Sequence, residues 1–226
     1  MKVKRKPKSA FVQPISCMML SIITVMGISP LVLAVPGKVS LHSPEQSAQR
    51  QPQKIAQASG TDTPERSQML QQANALYNQG DFKNAEENLR TFVKKFPEDA
   101  FGHFQLGNAL FQQKKSEEAI SAYKEAIRLQ PKYALAYNAS GMVYASQSRW
   151  EEAITEYKKA LEINPNYGEA LTNFALAMWQ TNKKDEALSS LEKALNIFKE
   201  QNRGEKVNQV ERILKEIKTA EDPSVS

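Results

Sequence analysis

Few residues in this chain of 226 are of types that do covalent or acid–base chemistry, and their spacing assembles no catalytic group. Cys17 is the only cysteine, and the two histidines, His42 and His103, are far apart, with no cluster around either. A general base needs a substrate proton within reach and usually a neighbour that orients it. The sequence supplies neither, so His103 reads as structural. Glu117-Glu118 and Glu151-Glu152 come nearest to paired carboxylates. Each pair precedes an apolar residue at the start of a helical pattern, where negative charge complements the positive end of the helix dipole. They read as solvated helix-start acids. The sequence contains no glycine-rich phosphate loop, no metal-ligand spacing and no serine elbow. It therefore predicts no enzyme, no cofactor and no metal. What remains is non-covalent recognition by aromatic rings and carboxamides, which depends on the elements that present them.

Those elements are announced by a period. Pro97, Pro131 and Pro165 are evenly spaced, and Ala85, Ala119, Ala153 and Ala187 keep the same interval. Four positions after each of these alanines comes Leu89, Tyr123, Tyr157 or Leu191, and Ala126, Ala160 and Ala194 form a third register. Leu106-Gly107 and Ser140-Gly141 supply an early small-residue pair. The pattern is helical from Thr63-Pro64-Glu65, a capping hydroxyl followed by a proline suited to the first helical turn and an acid. No strand-like alternation of any length interrupts it.

These phased residues resemble the tetratricopeptide repeat (TPR), which recurs at about 34 residues with a small residue, an alanine, an aromatic and a proline in this order. The interval between Pro97 and Pro131 matches that period. The resemblance implies an all-α helix-turn-helix solenoid of about four repeats, at 66–99, 100–133, 134–167 and 168–201, within an ordered span of 63–201. In physical terms, the glycines and alanines let two antiparallel helices approach, the aromatics fill the space between neighbouring hairpins, and each proline ends a second helix. The outer repeats depart from the pattern. The first has Phe92 where an alanine is typical, and the fourth has Lys199 in place of the proline, so its second helix is expected to run on. Val207, Val210, Leu214 and Ile217 then mark an amphipathic capping helix within 202–220.

In this family the first helices of successive repeats line a concave surface that holds an extended peptide or a partner's helix. Carried onto this chain, that surface comprises Leu70, Asn74, Tyr77 and Asn78 from the first repeat. The second contributes Phe101, Phe104, Gln105, Asn108, Phe111 and Gln112. The third adds Asn138 and Met142, and the fourth Thr172, Asn173, Leu176 and Trp179. The set holds almost no charge. Asparagine can donate to a peptide carbonyl and accept from its amide, while aromatic side chains anchor interfaces. Asn74 and Asn108, one period apart, could stack as a ladder along one ligand. The competing reading has Phe101, Phe104 and Phe111 packing against the adjacent repeat and the asparagines merely solvating the face. Relatives that clamp a C-terminal carboxylate place Lys and Arg on this face; the mapped positions have none, which argues against an acidic-tail ligand. Asn138-Ala139-Ser140 fits a glycosylation pattern but falls within a helix expected to be packed.

The formal charge of +5 and pI of 9.1 suggest a basic protein until the charge is located. Lys2, Lys4, Arg5, Lys6 and Lys8 lie within 1–34 with no acid among them, and the remainder of the chain balances. Nucleic acid is therefore not the expected partner. The basic cluster precedes an apolar run, Met18 to Ile28, then Ser29-Pro30 and Leu31 to Ala34. Residues 1–34 thus read as an export signal cleaved after Ala34, or else as an uncleaved anchor within Ile15 to Val35. Both readings place the repeats on the extracytoplasmic side, with membrane contact only through 1–34 if uncleaved. Residues 35–62, rich in Gln, Ser and Pro, read as a flexible linker, and 221–226 as a disordered tail. The expected partner is a protein or peptide, bound by a scaffold or assembly factor. The alternative is a structural protein that self-associates as a homo-oligomer.

Overall fold

The computed structural model describes residues 63–219. The signal or anchor over 1–34, the linker over 35–62 and the tail over 221–226 lie outside the described residues. Within them the chain forms an all-α solenoid of four antiparallel hairpins closed by a ninth helix. The hairpins are α1 (Pro64–Asn78) with α2 (Phe82–Lys95), α3 (Ala100–Gln112) with α4 (Ser116–Leu129), α5 (Ala134–Ser146) with α6 (Trp150–Ile163), and α7 (Gly168–Gln180) with α8 (Lys184–Glu200). The closing helix is α9 (Gly204–Thr219). Among the described residues no helix is long and apolar enough to cross a membrane.

Local chemistry sets the helix ends. Thr63 caps α1, its hydroxyl oxygen accepting from the Arg66 amide at 3.2 Å, with Pro64 in the first turn. The second helices α2, α4 and α6 stop just short of Pro97, Pro131 and Pro165. Proline cannot continue a helix and disfavours helical backbone in the residue before it. Lys199 imposes no such stop, and α8 runs to Glu200, giving it 17 residues where α6 has 14.

The core corrects one expectation. The sequence places the aromatics Tyr123 and Tyr157 between neighbouring hairpins, but each ring lies inside its own hairpin, against the glycine of the partner helix. A Cβ added at Gly107 would stand 2.5 Å from the Tyr123 ring, and one at Gly141 would stand 2.5 Å from the Tyr157 ring. Glycine is needed here for volume, because the ring occupies the space a methyl would take. Between hairpins small residues meet a different set of aromatic rings. Ala126 and Ala136 are buried together under Tyr133, with Phe101 and Phe104 against them. The first junction solves the same problem with sizes exchanged: Phe92 holds the register of Ala126, is fully buried, and lies against Gly102, which holds the register of Ala136. Asp99 takes the register of Tyr133. Its carboxylate caps α3 by accepting from the Gly102 amide at 2.8 Å and pairs with Arg66 of α1 at 2.5 Å.

For the site, the important consequence is a row of first helices. Besides its hairpin partner, α5 touches both α3 and α7. At the C-terminal end α9 lies on α8 and buries Val210, Ile213, Leu214 and Ile217.

Candidate functional site

The face carried by α1, α3, α5 and α7 is built from registers that recur once per repeat. Of the side chains expected there, Asn78 and Gln112 are exposed, and Asn74, Tyr77, Phe101, Phe104, Gln105, Asn108 and Phe111 are half-buried. Met142, Asn173, Leu176 and Trp179 are half-buried as well. Leu70, Asn138 and Thr172 are buried, and the Thr172 hydroxyl donates to the Gly168 carbonyl of its own helix at 2.9 Å.

The carboxamides are tied into chains that cross from helix to helix. Gln105 Nε2 donates to Asn74 Oδ1 at 2.5 Å, Asn108 Nδ2 donates to Gln105 Oε1 at 3.0 Å, and the Tyr123 hydroxyl donates to Asn108 Oδ1 at 2.8 Å. Asn74 and Asn108 therefore do not bond one another; Gln105 links them. Burial raises the Tyr123 phenol well above its ordinary pKa, so it remains a donor. A second chain joins α5 to α7: Asn173 Nδ2 donates to Asn138 Oδ1 at 3.0 Å, and Asn138 Nδ2 donates to the Tyr167 oxygen at 3.4 Å. A third contact runs from Gln112 Nε2 to the Tyr77 oxygen at 3.2 Å. A carboxamide has two donors and two acceptor lone pairs. These bonds fix the orientation of each amide while using only part of its capacity.

The aromatics are divided between face and core. Phe104 packs at a tilt against Tyr133 and Tyr123, with ring centroids 5.2 and 5.9 Å away, and against Phe101 at 6.5 Å. Its ring does much of its work between repeats, so the packing reading describes Phe104 well. Asn138, the residue of the glycosylation pattern, is 6% exposed. His103 places Nε2 2.9 Å from the Pro97 carbonyl oxygen, a helix-end contact. Glu117 and Glu118 pair with Arg149 and Arg90, and Glu152 pairs with Arg149.

Sequence reasoning misses two residues of the face. Leu135, 42% exposed, holds the register of Phe101, and Glu169 holds it in the next repeat, pairing with Arg203 at 2.6 Å. Adding the period to Phe101 finds both.

Comparison with known proteins agrees with this architecture. A tetratricopeptide-repeat family model matches residues 70–134, and a second model of the same description matches 132–200. No curated protein matches the chain. Among solved structures, a crystal structure of MamA is similar at 28% identity with a TM-score of 0.57, covering 70% of this chain and 91% of MamA. A second MamA structure gives 28% identity and a TM-score of 0.55, over 67% of this chain and 81% of that one. The TPR2B domain of yeast Sti1, solved as a complex with pHsp70, is 25% identical with a TM-score of 0.52, covering 54% of this chain and 97% of that domain. With two tetratricopeptide-repeat matches that together span 70–200 lying along a four-hairpin solenoid, the chain has the all-α tetratricopeptide-repeat fold.

Proposed function

We propose that this protein is a non-enzymatic interaction scaffold or assembly factor. Its row of first helices holds a peptide or a partner's helix on the extracytoplasmic side of a membrane. The tetratricopeptide repeat is in general a protein-interaction module, and the Sti1 domain complexed with pHsp70 supports peptide binding as the type of function. The observation that carries the reading is the face of the first helices: half-buried aromatics interleaved with carboxamides whose orientation is already fixed. Such amides meet a ligand backbone without first losing rotamer freedom. The location rests on the basic cluster and apolar run of residues 1–34.

The test is affinity capture with the full chain, from membrane and soluble fractions, beside a variant carrying Asn78→Glu and Gln112→Glu. Both side chains are exposed, so the changes leave the core intact. A partner captured only by the unaltered chain supports the face. A partner retained by both forms moves the site to the second helices or beyond 63–219. The self-association reading draws on the exposed Leu135, and a strictly monomeric species in sedimentation at several concentrations removes it.

A further inference from the structure

The composition of the face carried by the first helices limits what it can hold. Across the registers of Phe101, Phe104, Gln105, Asn108, Phe111 and Gln112 in all four repeats, the one charged side chain is Glu169, and Arg203 already neutralises it. An occupant bringing Asp, Glu, Lys or Arg onto this face would lose hydration and meet no counter-charge, which is unfavourable. A free terminal carboxylate meets the same objection. Beside the half-buried aromatics, one apolar side chain stands out from the face. Leu135 is the large hydrophobic side chain left exposed among the described residues. A single exposed leucine is ordinary on a protein surface. This one lies in line with Phe101, with the Asn74–Gln105–Asn108 chain on the preceding helices and the Asn138–Asn173 pair on its own and the next. Apolar contact at the start of α5 and pre-oriented amides on the helices to either side describe a ligand by complement.

Building on the proposed role of this face, we infer that its ligand is an internal, uncharged, extended segment of a partner chain that seats one large apolar side chain on Leu135. The absent charge excludes acidic tails and basic motifs. The carboxamides hold the backbone, and Leu135 supplies the apolar contact that sets register.

The experiment screens the full-length chain against an array of short peptides, acetylated and amidated, in which charged and apolar positions are varied independently. Enriched peptides are expected to carry a Leu-, Ile-, Phe- or Met-type residue in a stretch free of charge. Uncapping the carboxylate or adding a flanking Glu is expected to weaken binding roughly tenfold or more, as is Leu135→Glu, whereas Leu135→Met retains binding. Thermal melts of both variants should match the parent, because Leu135 is exposed. Enrichment of charged peptides that are lost with Asn78→Glu and Gln112→Glu overturns the ligand class and leaves the face as the binding site. Peptides indifferent to all these substitutions, or no binding at all, overturn both. A dimer that Leu135→Glu converts to monomer shows the occupant to be a second copy, which also overturns the inference.

Discussion

Glu86 shows how this molecule buries a carboxylate. Its register in the other repeats is apolar, Ile120, Ile154 and Leu188, yet its own side chain is only 7% exposed. It collects Lys115 Nζ at 2.7 Å, Arg90 Nε at 2.8 Å and Gln113 Nε2 at 2.8 Å. Burial alone would raise its pKa, but the bonds from Lys115, Arg90 and Gln113 outweigh burial and hold it below the usual carboxylate value. A folded-state pKa below the unfolded one means stability that is present above the unfolded pKa and lost as the pH falls through the folded one. Glu86→Gln is therefore expected to destabilise the protein at neutral pH. The half-exposed Lys115 and Arg90 can turn to water, which limits the loss to about 1 kcal/mol. Urea unfolding at a series of pH values should show the gap between parent and variant closing below about pH 4. A gap independent of pH would mean that Gln113 and shape, rather than charge, make the site.

At the scale of elements, the turn inside each hairpin repeats a backbone conformation that its residue types conceal. Gly80, Lys114, Ser148 and Asn182 all have positive φ, at 80°, 62°, 59° and 61°, and they share one register of the repeat. Each closes a first helix, as where the Lys114 amide donates to the Phe111 carbonyl at 2.9 Å and the Lys115 amide to Leu110 at 3.0 Å. Only the first turn uses glycine, which takes this conformation without a Cβ clash. Lys114→Gly and Ser148→Gly are each expected to stabilise the protein by about 0.5 kcal/mol, the relief of the left-handed penalty less the added chain entropy. Chemical denaturation would register a higher midpoint at unchanged slope; a lower midpoint would place the cost of these turns elsewhere. The same contrast explains what the sequence made readable. Proline, glycine and alanine registers act through volume and missing donors, so the hairpins, the long α8 and the stripe of α9 could be read directly. Lys114 and Ser148 do not advertise a left-handed turn. The exchange of sizes between Phe92 and Gly102 is invisible until the two meet across a junction. Site residues are similar: helical phase puts Asn108 on a first helix, but its bond to Tyr123 comes from the other arm of the hairpin.

Taken as a whole, the described array is close to one-dimensional, since nearly every packed pair of helices is consecutive in the chain. Stability in such an array is roughly a sum of hairpin terms and nearest-neighbour interfaces. The C-terminal end is closed by α9, which buries Val210, Ile213, Leu214 and Ile217 and turns Glu211, Arg212, Lys215 and Glu216 to water. Among the described residues the outer side of α9 is charged, which disfavours further head-to-tail stacking on it. Undocking α9 should then be a local event. Ile213→Asp would place an unpartnered carboxylate against α8 and is expected to cost the α8–α9 interface about 3 kcal/mol or more. Hydrogen exchange followed along the chain should show amides of 204–219 opening first and those of α8 next, while α3 to α6 keep protection within a few tenths of a kcal/mol. Peptide binding centred on Leu135 should survive the same substitution, because the hairpin of α7 and α8 stands between Leu135 and the cap. Simultaneous loss of protection throughout the array would instead make the solenoid a single cooperative unit, and binding would then fall with the cap.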